Sequence, residues 1–162
     1  MSISMKQVVN STDRAKDITM PTIMTTIFRA LAFILMATEV YALEVFFNVQ
    51  ITGANAPKIR VQTNLPDTTK VRISLANQSV DFSEQIKTEV AAGVFEGGPF
   101  LDNGEPIRPG RYTVSISADL AQFQSESVQS IIGIHGEELQ GPLVHKGMLG
   151  RKVSYMTQLD IY

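Results

Sequence analysis

Residues 108–117 read RPGRYTVSIS, and the alternation in that stretch decides the fold class. Pro109 and Gly110 set a tight turn: proline fixes its own φ, and glycine accepts backbone conformations closed to other side chains. Beyond the turn, Tyr112, Val114 and Ile116 fall on one face and Arg111, Thr113, Ser115 and Ser117 on the other. Side chains alternate along a strand, so this is a strand with one face buried and one in water. Tyr112 is then the core-entry residue. Its ring goes inward, and its hydroxyl needs a partner at the sheet edge.

The same period runs through most of the chain from residue 43 onward. Val45–Thr52 places Val45, Phe47, Val49 and Ile51 together; Lys58–Thr63 places Ile59, Val61 and Thr63; Lys70–Leu75 places Val71, Ile73 and Leu75. Lys152–Tyr162 turns Val153, Tyr155, Thr157, Leu159 and Ile161 inward. Gln85–Val90 and Val94–Phe100 flank Ala91-Ala92-Gly93, which reads as a hairpin loop. Alternation of this kind belongs to antiparallel sheets, since buried parallel strands are apolar on both faces. Seven strands are expected, with turn signals recurring every 8–14 residues between 45 and 117. That spacing predicts an all-β sandwich or small barrel.

One segment has a different period. Ser125 is a candidate N-cap, Glu126 sits in the first turn and Gly133 closes the stretch, with Val128, Ile131 and Ile132 on one helical face. A helix of one to two turns is expected there, lying on the sheets. The five glycines between 133 and 151 predict a long loop before the last strand, anchored by Ile134, Leu139, Leu143 and Val144.

The N-terminal part reads differently again. In residues 24–42, Arg29 precedes the apolar run Ala30–Ala37, and Val40-Tyr41-Ala42 supplies a cleavage site. That is the order of a secretory signal peptide, with cleavage after Ala42. A transmembrane helix needs about 20 apolar residues, and the longest uncharged stretch here, Ala30–Thr38, has nine. The alternative is an uncleaved signal-anchor over residues 24–49. Residues 1–23 are polar and without period, a non-globular extension or a mis-assigned start. Residues 43–162 form the predicted domain: 120 residues with ten basic and thirteen acidic side chains, net charge −3.

Composition removes several functions. The absence of cysteine excludes disulfides, thiolate metal sites, a cysteine nucleophile and a lipid-bearing cysteine. The acidic balance argues against nucleic acid as a partner. No nucleophile elbow, phosphate-cradling loop or dinucleotide fingerprint occurs, so neither enzymatic activity nor a cofactor is expected. His135, Glu137 and His145 are the candidate metal ligands, because imidazole and carboxylate suit zinc, but their spacing in a glycine-rich stretch fixes no geometry. Solvent-facing loop histidines are the expectation. Glu96, Asp102 and Glu105 are acidic neighbours without calcium-loop spacing. Gly133-Ile134-His135-Gly136 and Gly147-Met148-Leu149-Gly150 read as turns. Phe46 points to a partner surface only if it is exposed.

The segment Pro106–Ile116, with its Pro-Gly-x-Tyr-x-Val run, resembles the entry strand of transthyretin-like and carboxypeptidase-regulatory-like β-sandwiches. Asn64–Leu75 is similar to exported bacterial sandwich domains of uncharacterised role. The resemblance covers residues 57–117 and implies architecture: an immunoglobulin- or transthyretin-like sandwich, mostly a non-catalytic module. The expected role is an exported, periplasmic or extracellular, binding or structural module of the bacterial cell envelope. Its partner would be another envelope protein or a surface ligand, and it would meet membrane only if residues 24–49 are kept as an anchor. The alternatives are a small-ligand or carbohydrate binder using loops 101–110 and 133–151, and, more remotely, a metal-dependent hydrolase.

Overall fold

A computed structural model of the protein describes residues 42–162; the 1–23 extension and the signal segment, all but its last residue, Ala42, lie outside the described residues. The described part is all-β with one α-helix. In chain order the strands are β1 (Leu43–Glu44), β2 (Phe47–Thr52), β3 (Lys58–Thr63), β4 (Lys70–Asn77), β5 (Phe82–Glu89) and β6 (Val94–Gly97). There follow β7 (Leu101–Asp102), β8 (Glu105–Pro106), β9 (Gly110–Ala118), helix α1 (Glu126–Ile132), β10 (Leu139–Gln140), β11 (Val144–Gly147) and β12 (Gly150–Ile161). Short 3₁₀ turns cover Gln78–Val80 and Ala121–Phe123.

Two sheets carry the fold. One has five strands in the order β11-β12-β9-β4-β5, the other three in the order β2-β3-β6, and both are antiparallel throughout. In the larger sheet β9 lies between β12 and β4, with Gly110 opposite Ile161 at one end and Ser117 opposite Ser154 at the other. The seven expected strands are β2, β3, β4, β5, β6, β9 and β12. To them the structure adds β11 and four two-residue strands. One of the short pairs, β1 with β10, is parallel. Its two members are far apart in sequence, as a parallel pair requires.

The alternating faces explain the core. Ile59, Val61, Ile73, Leu75, Val114 and Ile116 are wholly buried, and the inward faces of both sheets feed one hydrophobic cluster. The sheets approach closely at Gly97 of β6: a Cβ built there would lie 3.0 Å from Cδ1 of Ile73 in β4.

Three expectations are corrected. First, Gln85–Val90 and Val94–Phe100 do not form a hairpin ladder. β5 belongs to the five-stranded sheet and β6 to the three-stranded one, and a single bridge, Ala91 with Val94, joins them. Ala92 and Gly93 both have positive φ (50° and 72°), which makes the turn tight. The arms then bond elsewhere: Val90 exchanges hydrogen bonds with Thr68 and Thr69, and the Gly93 carbonyl accepts from the Thr63 amide. Second, residues 133–151 are not one long loop, because β10, β11 and the start of β12 lie within them, and of the four side chains expected to anchor them Ile134 is exposed instead. Third, Ile131 does not share the buried face of α1. Val128 and Ile132 are buried, while Ile131 is 54% exposed, since a seven-residue helix buries only a narrow stripe. The N-cap, Ser125, makes no side-chain capping bond; its hydroxyl sits 2.9 Å from that of Ser127.

Candidate functional site

Tyr112 is 1% exposed, and its hydroxyl donates to the Arg108 carbonyl at 2.8 Å. Its ring meets Phe82 edge-on, centroids 5.7 Å apart. Gly110 opens β9 with a φ of 153°, and a Cβ there would lie 2.8 Å from the Asn77 amide nitrogen. Pro109 is exposed at the bend just before it. These three residues shape the entry to β9.

The chemically suggestive residues are scattered. His135 and His145 are exposed; His145 pairs with Lys152 across β11 and β12. The Glu137 carboxylate accepts the His135 backbone amide at 3.0 Å. Hydrogen bonds from its own amide and from that of His135 hold it below the usual carboxylate range, with smaller help from the charges of His135 and Arg151. Glu96 is ion-paired with Arg60, and the Asp102 carboxylate accepts from the Asn103 side-chain amide at 3.0 Å. Among the described residues no three His, Asp or Glu side chains gather as a metal site. The two loops named for a small ligand also lie apart. Loop 101–110 feeds the Gly110 end of β9, whereas residues 133–151 lead into β12 beyond the Ser154 end.

A different feature dominates the surface. Eight large apolar side chains stand exposed among the described residues: Phe46, Phe123, Ile131, Ile134, Met148, Leu149, Met156 and Tyr162. The first six belong to segments at the end of the larger sheet marked by Lys70, Ala118 and Ser154. Phe46 is 48% exposed, with its amide held by Asn64, while Phe47 turns in against Phe95. Two of the six stand on the β11–β12 hairpin, where Gly147 opposes Gly150 and Met148-Leu149 form the tip. Met148 is fully exposed and Leu149 60% exposed. A shallow open depression of about 660 Å³ beside the tip is lined by Leu120, His145, Lys146, Met148, Leu149 and Lys152.

This end is held firmly. Gln124, itself buried, accepts from the Lys70 amide at 2.8 Å and donates to the Lys70 and Asp119 carbonyls at 3.1 and 3.0 Å. Arg72 pairs with Asp119 at 2.9 Å. Together they pin the segment that carries Leu120 and Phe123. The hairpin is fixed just behind its turn by Arg151, whose amide donates to the His135 carbonyl at 2.8 Å and whose guanidinium donates to the Leu139 carbonyl at 2.6 Å. The sequence did carry a signal for this site. Two-residue turns favour Asn, Asp and Gly at their centre, and Met148-Leu149 between two glycines departs from that rule.

No protein-family model, curated protein or solved structure matches the chain. Among the described residues no helix is long and apolar enough to cross a membrane.

Proposed function

We propose that residues 43–162 are an exported, non-enzymatic β-sandwich, immunoglobulin- or transthyretin-like in build, acting as a binding or structural module of the bacterial cell envelope. The observation that carries the binding role is six exposed apolar side chains in segments at one end of the domain, against two elsewhere, Met156 on β12 and Tyr162. Exposed apolar surface gathered in one place marks an interaction site. The sandwich build is supported by the single core fed from both sheets and by the approach of Gly97 to Ile73. It is supported further by the bond from Tyr112 back to Arg108, the geometry of the tyrosine corner in such folds.

Export rests on the order of positive flank, apolar run and small residue in residues 24–42. Expression of the full chain, followed by fractionation and intact-mass measurement, tests it. The expected species lies in the periplasm or medium and begins at Leu43. A full-length chain confined to the cytoplasm overturns the reading, and one confined to the membrane fraction replaces cleavage with an anchor.

A further inference from the structure

The apolar tip of the β11–β12 hairpin is backed by cations. Lys146 and Lys152 flank it, both exposed, and Arg151 stands opposite Lys146 across the ladder. At about 3.4 Å per residue, Lys146 stands roughly 7 Å behind Met148, and Lys152 roughly 10 Å behind Leu149. An apolar face at a membrane surface sinks about 5–10 Å, to the boundary of headgroups and acyl chains. The two lysines are therefore spaced to meet lipid phosphates when Met148 and Leu149 reach the first carbons of the chains.

The nearby acids cancel only part of this charge. Asp119 is paired with Arg72, and Glu137, which accepts the His135 amide, lies within reach of Arg151 and offsets that one cation, not Lys146 and Lys152. The local excess of cations stands out against a domain whose net charge is −3. The tip also protrudes beside an open depression, so a deformable surface covers it better than a rigid one. We infer that the 145–152 hairpin is a membrane-docking element that inserts Met148 and Leu149 into an anionic bilayer surface, with Lys146 and Lys152 on the headgroups. This rests on the reading of this end as the binding face and names its ligand.

The chain contains no tryptophan, so Met148→Trp provides a single reporter at the tip. Leu149→Trp repeats the reading one residue on. Met156→Trp, at an exposed position on β12 away from the hairpin, is the control. The full-length variants are mixed with phosphatidylcholine vesicles with and without phosphatidylglycerol, some carrying brominated acyl chains. Membrane contact through any other segment leaves the tip reporter unchanged. The expected result is a blue shift and bromine quenching at 148 and 149 on anionic vesicles only, with neither at 156. Lys146→Gln and Lys152→Gln should each weaken that partition roughly fivefold. A tip reporter that keeps solvent-like emission on anionic vesicles, or responds equally on neutral ones, overturns the inference. If delipidated envelope protein then shields the tip instead, the partner is a protein and the module reading survives. If neither shields it, the binding reading falls too.

Discussion

Tyr112 divides its work between an apolar ring and a polar tip, and the two can be removed separately. Tyr112→Phe keeps the ring against Phe82 and deletes the bond to Arg108, leaving that carbonyl without its partner. A loss of about 1–2 kcal/mol is expected. Tyr112→Ala deletes the ring as well and should cost about 3–5 kcal/mol, out of a total of about 5–15 kcal/mol for a domain of this kind. Denaturant melts of the two variants check both values. If Tyr112→Phe melts like the wild type, the bond to Arg108 contributes nothing. Glu137 gives a pH prediction at the same scale. Its pKa is lowered in the folded state, so its contribution to stability is complete above the ordinary carboxylate range. That contribution is lost as pH falls through the lowered pKa. NMR titration should show the His135 amide shifting with the Glu137 carboxyl, below the usual carboxylate midpoint, and Glu137→Gln should abolish the shift. Tyr112 was legible in the sequence because a turn and a period of two fix its direction. The Glu137 contact was not, because it depends on the path of the chain through Gly133 and Gly136, both at positive φ.

The long strands were legible for the same reason as Tyr112: one buried face imposes a period that only one register satisfies. The short elements escaped because they have no room to repeat a pattern. β11 is four residues long, and the glycines that bracket its turn look like loop composition. Sheet membership escaped too, since Ala91-Ala92-Gly93 fixes a tight turn without saying which strand each arm then joins. Two glycines separate conformation from contact in these elements. Gly104, at the β7–β8 turn, has a φ of 90° and open space around its missing side chain. Gly150, which opens β12, has a φ of 108°, and a Cβ there would overlap the His135 carbonyl. Gly104→Ala should therefore cost only the backbone strain, about 1 kcal/mol. Gly150→Ala should cost that strain and also displace residue 135, about 2–4 kcal/mol in all. Thermal melts of both proteins give the comparison, and amide exchange around residues 134–137 should quicken only in Gly150→Ala. Equal melting points would mean that the hairpin is not held against the 133–137 segment as described.

At the scale of the whole domain, the proposed sandwich depends on two sheets meeting face to face, and composition alone did not determine that. The sequence indicated half-buried antiparallel strands, which a small barrel also satisfies. What the sequence could not carry is where one sheet touches the other, because such contacts join residues far apart in the chain. Ile73 and Gly97 mark such a place. Ile73 is wholly buried in β4, between β9 and the edge strand β5 of the larger sheet, and Gly97 ends β6 in the smaller one. Gly97 does not have positive φ, so alanine there adds a methyl group without backbone strain. That methyl would press on Cδ1 of Ile73 at 3.0 Å, closer than ordinary packing allows. Gly97→Ala alone should destabilise by about 1–3 kcal/mol, the range for overpacking a core. Ile73→Val alone removes the Cδ1 methyl and should cost about 0.5–1.5 kcal/mol. In the double variant the added methyl occupies the space vacated by the lost one, so the two costs should not add. The combined loss should fall short of their sum by about 0.5 kcal/mol or more, the signature of groups in direct contact. Urea melts of the four proteins complete the cycle. Strict additivity would place the two residues out of contact and remove this link between the sheets, while a shortfall measures the packing between them directly.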